Sequence, residues 1–354
     1  MAAARLFGHG SPSISRAGGS APLWPRLTIH QPALARFEAA TDRLCGDRDE
    51  RTSSEITHLA KVVTASTGAQ SNHSRVTLAL SNQRAWSSRA GAAHVVDTAH
   101  YAAVNGTARP HFAKIFALKR ELEQAAPGQW VLWVDTDVLF TGDAAALASV
   151  AERLRHDQGR HCQVFFDGGY WTNSGVILMQ RSCAAARLLD AWLALTDFNQ
   201  LAADQGPFDL AVLHAVLGLN ATRSVDELRS RPCMREPPAN LVPCVNLARR
   251  RASHQPTTAR RVCGAANNFN TGWSNWIPGT LLAHFPGAGK QCMAPFARSF
   301  QDGAGGWRDE PNATWVRASK CRLSRGLREM CCATGAGGGC LCEKRPGNTN
   351  LSTQ

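Results

Sequence analysis

Two carboxylates follow a short apolar segment near the middle of the chain. Residues 130–134 (WVLWV) are all apolar, β-branched or aromatic, which predicts a strand that is buried on both faces. Asp135 and Asp137 come directly after it, and their spacing puts both side chains on one face of an extended chain. Paired carboxylates repel each other unless a cation binds between them or one is protonated. The pattern is therefore compatible with a metal site, a catalytic acid pair or a solvated turn.

The buried strand distinguishes this pair from a second D-x-D in the sequence. Asp47 and Asp49 have the same spacing but lie in a polar region without apolar periodicity, where we interpret them as a solvated turn. Hard divalent cations prefer carboxylate oxygens and keep part of their coordination shell for water or phosphate. A metal held by Asp137, with Asp135 assisting, could bridge to a diphosphate.

A second group with possible phosphate chemistry follows the predicted strand 280–285. His284 offers a nitrogen ligand that suits Mn²⁺-like ions. Gly287 and Gly289 allow a ligand to approach the backbone closely, and Lys290 supplies a compact positive charge for phosphate. A lone histidine is more often structural, but the glycine and lysine at spacings of three and six residues favour a binding role.

The elements that would position these residues alternate along the chain. Apolar segments predict strands at 57–67, 130–134, 162–169, 174–180 and 280–285, and helical spacing predicts helices at 110–124, 144–155, 183–195 and 204–218. Alternating strands and helices indicate an α/β domain with a largely parallel sheet. Ligands of such sheets bind at the carboxyl ends of the strands, where Asp135 and Asp137 lie.

Composition limits the remaining possibilities. The 354 residues are 44% apolar, which indicates a globular protein, and their formal charge is +12. No zinc-finger or RNA-binding pattern accompanies the basic residues, so we expect no nucleic-acid partner. A basic protein also suits a ligand that carries phosphates.

Cysteine usage favours the lumen of the secretory pathway, with the Golgi as the expected location. The chain has twelve cysteines, an even number, and five N-x-Ser/Thr sequons. Four cysteines crowd the C-terminus, where Cys340 and Cys342 are too close for the usual zinc spacing, so disulfides are favoured over zinc. The Arg-, Ser- and Ala-rich start leaves an organelle transit peptide as the alternative. Attachment to a membrane would need an anchor not present in this chain.

We expect three regions. Residues 1–54 lack pattern and are predicted to be a flexible segment, 55–304 form the α/β domain, and 305–354 form a small basic, Cys-rich appendage. Within the domain, residues 222–263 are rich in Arg and Pro and hold three cysteines, which predicts an irregular insertion tied by disulfides.

Taken together, these motifs resemble those of the GT-A nucleotide-sugar glycosyltransferases. The chain is most similar to family 34 (galactosyl-, mannosyl- and xylosyltransferases), with an H-x-x-G-x-x-K ending that resembles family 8. The matching residues are Asn82 to Trp86, Lys114, Trp133 to Asp137, Asn173 to Val176, Asp204, Gln205, His284, Gly287 and Lys290. The resemblance covers residues 57–292 and implies a Rossmann-like GT-A fold.

The resemblance also implies roles for these residues. It assigns Mn²⁺ or Mg²⁺ to Asp135, Asp137 and His284. It assigns the nucleotide sugar, expected to be a UDP-sugar, to Asn82, Arg84, Lys114, Gly287 and Lys290. It assigns the sugar and the attacking hydroxyl to Asn173, Asp204 and Gln205. The expected reaction moves a hexose or pentose to a glycan or glycoprotein with retention of configuration.

Two other functions remain open at this point. A D-x-D after an apolar strand also begins haloacid-dehalogenase-type phosphohydrolases, but Val138 and Leu139 follow here and no later acidic metal motif is found. The non-enzymatic alternative is a secreted carbohydrate-binding protein, favoured by the cysteine-dense tail. An intact metal set argues against it.

Overall fold

The computed structural model describes about half of the chain. These residues are 31–46, 59–66, 73–98, 110–143, 145–147, 162–167, 173–196, 204–216, 262–265, 270–273, 276, 279–302, 306–308, 314–315, 331–334 and 340–343. Among them, no helix has the length and apolar character needed to cross a membrane.

A six-stranded mixed sheet forms the centre of the protein. Its strands are β1 (Leu59–Ala65), β2 (Ala93–Asp97), β3 (Trp130–Val134), β5 (Val164–Asp167), β6 (Asn173–Gln180) and β7 (Val262–Ala265), in the order β2-β1-β3-β6-β5-β7. Strand β1 is parallel to β2 and β3, and β5 is parallel to β7, whereas β6 is antiparallel to both of its neighbours. The α/β class predicted from the sequence is confirmed, with one antiparallel strand inserted in the sheet.

Helices cover this sheet on both faces. They are α1 (Gln31–Gly46), α2 (Ser74–Arg89), α3 (Ala113–Gln124), α4 (Cys183–Ala194) and α5 (Gln205–Val216). A short helix, α6 (Met293–Arg298), packs instead against Ala79 of α2 and against Leu139 and Ala283 of a smaller sheet. Ser182 caps α4, since its hydroxyl accepts a hydrogen bond from the backbone N–H of Ala185 at 3.2 Å.

The strand residues alternate between two apolar layers because successive side chains point to opposite faces. One layer joins Val63, Val131, Trp133, Ile177 and Met179 to helices α1, α3, α4 and α5. The other joins Val62, Leu132, Val134, Val176 and Leu178 to Trp86 of α2 and to residues of a second, smaller sheet. The central strands are therefore covered on both sides, which explains their continuous apolar sequences.

The smaller sheet consists of β4 (Val138–Phe140), β8 (Thr271–Gly272) and β9 (Leu282–His284), in the order β4-β9-β8. A third sheet, of β10 (Thr314–Trp315), β11 (Cys331–Thr334) and β12 (Cys340–Glu343), is antiparallel and lies in the predicted C-terminal appendage. The small sheet matters most for function, because it connects the residues after β3 to the strand that ends at His284.

The segment predicted to be flexible, 1–54, contains a packed helix. Helix α1 buries Phe37, Ala40 and Leu44, and a disulfide joins Cys45 to Cys183 at the start of α4. Cys162 and Cys292 are disulfide-bonded as well, and no cysteine in the described part of the chain is free. Of the insertion predicted at 222–263, only the first two residues of β7 are described; the rest lies outside the described residues.

Candidate active site

The strand order predicts a ligand-binding crevice between β1 and β3. The chain passes from β1 through α2 to β2 on one side, then returns through α3 to β3 on the other side of β1. Connections that leave in opposite directions open a crevice at the carboxyl ends of the strands, the usual ligand site of open α/β sheets. Ser66 follows β1 at this edge, Asp97 ends β2, and Asp135 follows β3.

The small sheet brings His284 beside Asp137. Strands β4 and β9 pair antiparallel with Val138 opposite His284, and the backbone N–H of Phe285 donates to the carbonyl oxygen of Asp137 at 2.9 Å. The side chains meet as well, with His284 Nε2 lying 3.4 Å from Asp137 Oδ1. Two segments separated by about 150 residues in sequence are thus held together by backbone pairing.

Lys114 bridges two carboxylates beneath this pair. Its ammonium nitrogen lies 3.0 Å from Asp135 Oδ1 and 2.8 Å from Asp204 Oδ2, and its side chain is only 4% exposed. Ser174 donates its hydroxyl to Asp204 Oδ2 at 2.6 Å, and the Trp133 indole donates to Asp135 Oδ1 at 2.7 Å. Asp204 and Asp135, which come from different elements, are therefore fixed by a single buried cation.

These contacts shift the pKa values of the network in different directions. Burial by itself lowers the pKa of Lys114, but Asp135 and Asp204 outweigh it and raise that pKa. Burial raises the pKa of Asp135 more than Lys114 lowers it, and the neighbouring carboxylates add to the rise. For Asp204, Lys114 and Ser174 outweigh the effect of burial and lower the pKa. Lys114 and Asp204 are therefore both charged at neutral pH.

Asp137 is a partly buried carboxylate, with 13% of its side chain exposed, and its buried oxygen Oδ1 is unsatisfied. Burial would raise its pKa, but His284 and Lys290 lower it to about 2. Lys290 Nζ lies 3.1 Å from Oδ2, whereas Oδ1 has no hydrogen-bond partner among the described residues. The 3.4 Å approach of His284 Nε2 to Oδ1 is too long for a good N–H···O bond, so we regard it as an electrostatic contact. A buried ionised oxygen without a partner is costly and indicates that something else binds there.

The residues around Asp137 fit a divalent cation that takes only some of its ligands from the protein. Within the described ranges, no three Asp, Glu, His or Cys side chains come together as a complete metal cluster. Asp137 and His284 supply a carboxylate and an imidazole, and the predicted third ligand, Asp135, instead contacts Lys114 and Trp133. Cations of this class commonly bind through one or two protein ligands and complete their shell with water and substrate phosphate.

Asn173 and Gly175 position the imidazole of His284. The Asn173 amide nitrogen lies 3.2 Å from His284 Nδ1, and its oxygen accepts the backbone N–H of Gly175 at 2.7 Å. A Cβ atom on Gly175 would lie 2.8 Å from His284 Cε1, closer than real side chains allow. A glycine is therefore required here for the ring to lie against β6.

Two residues predicted to bind the nucleotide have other contacts. Asn82 is buried on α2, where its amide donates to the carbonyl of Phe140 at 3.1 Å and accepts from the Phe140 N–H at 2.6 Å. Asn82 therefore fastens β4 to α2, and its polar atoms are already used. Arg84 is exposed on α2, and its charge acts on His94 of β2.

The remaining predicted residues lie at or beside the cleft. Gln205 is the partly exposed first residue of α5, directly after Asp204. Gly287 is exposed and has a positive φ of 56°, and it begins the 3₁₀ segment Gly287–Cys292 that carries Lys290. Lys290 is half-exposed. A positive φ favours glycine because a side chain would be strained there.

Sequence reasoning did not single out several residues that shape the site. Gln83 donates from its amide to the carbonyls of Asp135, at 3.1 Å, and Val138, at 3.2 Å, and so holds the turn between β3 and β4. Ser174 lay inside a matched motif, and Gln83 beside Asn82, but neither sequence position reveals its partner. Asn270, whose amide nitrogen lies 3.3 Å from His284 Nδ1, has no local sequence signal at all.

Comparison with known proteins gives limited matches. No protein-family profile matches the sequence, and no curated protein sequence is significantly similar to it. Three of the similar solved structures are glycosyltransferases. The first is a glycosyltransferase involved in glycosylation of the major capsid of PBCV-1, with 12% identity, 41% of this chain and 72% of that chain covered, and a TM-score of 0.31.

The other two come from prokaryotes. The glycosyltransferase GlyE of Streptococcus pneumoniae TIGR4 is 14% identical, with 42% of this chain and 43% of that chain covered and a TM-score of 0.24. The mannosyltransferase PcManGT of Pyrobaculum calidifontis, solved with GDP-Man and Mn²⁺, is 12% identical, with 63% and 81% covered and a TM-score of 0.27. Every TM-score is below 0.5, so the function is inferred below from the residues of this chain.

Proposed function

We propose that this protein is a metal-dependent glycosyltransferase that moves a hexose or pentose from a nucleotide-diphosphate sugar to a hydroxyl of a glycan or glycoprotein. A UDP-sugar is the expected donor. The observation that carries this proposal is the unpartnered, buried Asp137 Oδ1, which faces His284 next to Lys290 at the edge of the sheet where ligands bind.

The charges around Asp137 suit a diphosphate and its cation. Three carboxylates (Asp135, Asp137 and Asp204) face two ammonium groups (Lys114 and Lys290), which leaves one excess negative charge when His284 is neutral. When bound, Mn²⁺ or Mg²⁺ would reverse this balance and stabilise the negative charge on a departing phosphate. Asp137 and His284 would hold the ion.

Lys290 and Gly287 serve the phosphate side of the reaction. Lys290 is half-exposed, so its ammonium can turn from Asp137 toward the diphosphate when a cation replaces it. Gly287 is exposed at the start of the same segment, where the absence of a side chain lets the backbone N–H groups approach the phosphate. These residues would stabilise the leaving group as the bond to the sugar breaks.

Asp204, Gln205 and Asn173 serve the sugar side. Asp204 stays ionised because Lys114 and Ser174 favour its charged form, so it can stabilise positive charge that develops at the anomeric carbon. Gln205 and Asn173 are partly exposed beside it and can donate hydrogen bonds to sugar hydroxyls. We propose retention, with the departing phosphate accepting the proton of the attacking hydroxyl.

We also propose that the protein works in the lumen of the secretory pathway, in the Golgi or a related compartment. The disulfide between Cys45 and Cys183 and the disulfide-bonded Cys162 and Cys292 need an oxidising environment. The five sequons support the same compartment. An organelle reached by a transit peptide is the alternative, and fractionation of cells that express the tagged protein distinguishes the two.

Donor binding tests the proposed activity. Purified protein is titrated calorimetrically with UDP- and GDP-sugars, with and without Mn²⁺, beside Asp137→Asn. We expect one donor to bind only when Mn²⁺ is present and to lose at least about tenfold in affinity in the variant. Transfer of the labelled sugar to mixed glycan acceptors then identifies the product linkage, and a β-linked product from an α-linked donor would contradict retention.

Asp190→Asn provides a matched control. Asp190 is also a partly buried carboxylate in an ion pair, 2.6 Å from Lys119, but it belongs to the contact between α1, α3 and α4. Its substitution should leave donor affinity unchanged. Failure of every nucleotide sugar to bind the wild-type protein, together with retained glycan binding, would contradict the transferase and support the carbohydrate-binding alternative.

A further inference from the structure

Asn270 lies directly before β8 and contacts the same ring nitrogen of His284 as Asn173 does. Strand β8 pairs with β9 so that Gly272 lies opposite His284, which brings Asn270 beside the imidazole. Asn270 is 5% exposed, and its amide nitrogen lies 3.3 Å from Nδ1. Asn173 approaches Nδ1 with its own amide nitrogen at 3.2 Å.

Two amide nitrogens approach the same ring nitrogen, but that nitrogen can accept a hydrogen bond from only one of them. A neutral imidazole nitrogen has a single in-plane lone pair, so it accepts one good hydrogen bond. Asn173 is fixed in this orientation because its oxygen already accepts the N–H of Gly175. Asn270 is not fixed, because its oxygen is buried and has no hydrogen-bond partner among the described residues. A half-turn of the Asn270 amide brings that oxygen to Nδ1 and satisfies it.

The two asparagines therefore favour opposite tautomers of His284. If Asn173 donates to Nδ1, the ring proton sits on Nε2, which then cannot bind a cation. If the Asn270 oxygen accepts from Nδ1–H, the lone pair of Nε2 is free and directed toward the unpartnered Asp137 Oδ1. The hydrogen bond at one ring nitrogen thus decides whether the other is a ligand.

Rotation of the ring cannot replace this choice of tautomer. Gly175 packs so closely on the imidazole that an added Cβ would lie 2.8 Å from Cε1 and 3.2 Å from Nε2. Asn173 and Asn270 both contact Nδ1, so a flip of the ring would place a carbon atom beside both amides. Nε2 is therefore the nitrogen presented to a cation, and the tautomer decides whether it can bind one.

We propose that Asn270 is the positioning residue that prepares His284 as a metal ligand, by turning its amide oxygen to accept Nδ1–H when a divalent cation binds. This inference rests on the proposed metal-dependent function. In the metal-bound state Asn173 keeps its hydrogen bond from Gly175 but no longer donates to Nδ1, so its amide N–H groups become available to the donor sugar.

Metal affinity tests the proposal without measuring catalysis. Mn²⁺ binding is measured from the free-ion electron paramagnetic resonance signal for the wild type, Asn270→Asp, Asn270→Ala and His284→Ala. The carboxylate of Asn270→Asp can only accept, so this variant should bind Mn²⁺ at least as tightly as the wild type. Asn270→Ala should weaken binding about 10- to 100-fold, the usual effect of losing such a partner. Equal affinity of Asn270→Ala and the wild type would overturn the proposal, as would equal weakening by both Asn270 substitutions.

The ring tautomer supplies a second, metal-free measurement. In ¹⁵N spectra of the imidazoles, with His284 assigned from the signal missing in His284→Gln, Asn270→Asp should show an unprotonated Nε2 and Asn270→Ala a protonated one. The same tautomer in both variants would overturn the proposal. If the wild type binds no Mn²⁺ but the two variants still differ in tautomer, the proposed metal fails and the role of Asn270 in orienting His284 stands. If His284→Ala loses Mn²⁺ binding and neither Asn270 substitution changes it, the inference about Asn270 is wrong and the proposed metal site stands.

Discussion

Helix α3 carries two buried lysines whose surroundings differ. Lys114 lies between Asp135 and Asp204, and its pKa is raised. Lys119, five residues later, contacts Asp190, Thr41 and the ring of Phe37, and burial lowers its pKa despite the neighbouring carboxylate. Lys114 pairs with two carboxylates at the carboxyl ends of the strands, whereas Lys119 fastens the N-terminal helix.

The difference shows how a buried charge in a site can be distinguished from one in a core. Lys119 forms its ion pair with one carboxylate, Asp190, whose two oxygens also accept hydrogen bonds from Thr41. Around Lys114 and Lys290 the carboxylates are in excess, and one of their oxygens has no partner among the described residues. An unbalanced buried cluster indicates that a charged ligand completes it.

The largest expected effect comes from removing each lysine in turn. Lys114→Met leaves the buried Asp204 and the partly exposed Asp135 without a cation, which should cost about 3–5 kcal/mol of unfolding free energy and abolish donor binding. Lys119→Met should cost about 1–2 kcal/mol, because Asp190 is partly exposed and keeps Thr41, and should leave donor affinity intact. Urea unfolding and calorimetric titration measure both. Equal loss of donor affinity in the two variants would contradict the distinction.

Removal of the disulfide between Cys45 and Cys183 should lower the stability of the protein without changing its Mn²⁺ or donor affinity. Cys45 and Cys183 are separated by 138 residues, and replacing both with serine should lower the unfolding free energy by about 2–4 kcal/mol by freeing this loop in the unfolded state. None of the site residues contacts the bond, so we expect unchanged Mn²⁺ and donor affinity at 20 °C. A large drop in donor affinity in the folded variant would show that α1 also supports the cleft.

Gly175 and Gly272 both lie next to His284, but only Gly175 leaves no room for a side chain. An added Cβ at Gly175 meets the imidazole, whereas one at Gly272, which pairs with His284, meets nothing within 4 Å. Gly175→Ala should weaken Mn²⁺ binding about tenfold or more by displacing the ring, and Gly272→Ala should leave it unchanged. The same electron paramagnetic resonance titration applies. Equal affinities in the two variants would mean that the position of His284 is not critical.

The smallest effect is expected at two glycines with positive φ. Gly287 (56°) and Gly279 (85°) both have open space for a Cβ, so alanine at either should cost about 1 kcal/mol through backbone strain alone. Only Gly287→Ala should also weaken donor binding, by a few-fold, because it lies in the segment that carries Lys290. Equal donor affinities of Gly287→Ala and Gly279→Ala would show that Gly287 does not contribute to phosphate binding.

The sequence predicted the parts of the site that depend on local pattern. The apolar run 130–134 before Asp135 forms strand β3, and the predicted strand 280–285 is observed as Leu282–His284, because strand burial is a local property. Helix α1 was missed although Phe37, Ala40 and Leu44 have helical spacing, Pro32 lies in its first turn and Gly46 ends it.

Pairings between distant residues could not be predicted in the same way. The roles of Lys114 and Asn82 illustrate this, because both were expected to face a nucleotide. Lys114 instead joins two carboxylates, and Asn82 binds the backbone of Phe140. A polar residue in an amphipathic helix shows that it needs a partner, but only the packing of α2 and α3 on the sheets decides which one.

The central claim is that Asp137 and His284 hold a divalent cation against the diphosphate of the donor. Crystals grown with UDP and MnCl₂, with data collected at the manganese absorption edge, test it most directly. The account predicts an anomalous peak within coordination distance of Asp137 Oδ1 and His284 Nε2, with the diphosphate bound to that ion and to Lys290. UDP bound in the cleft with no manganese between these two side chains, or manganese bound elsewhere, would contradict it.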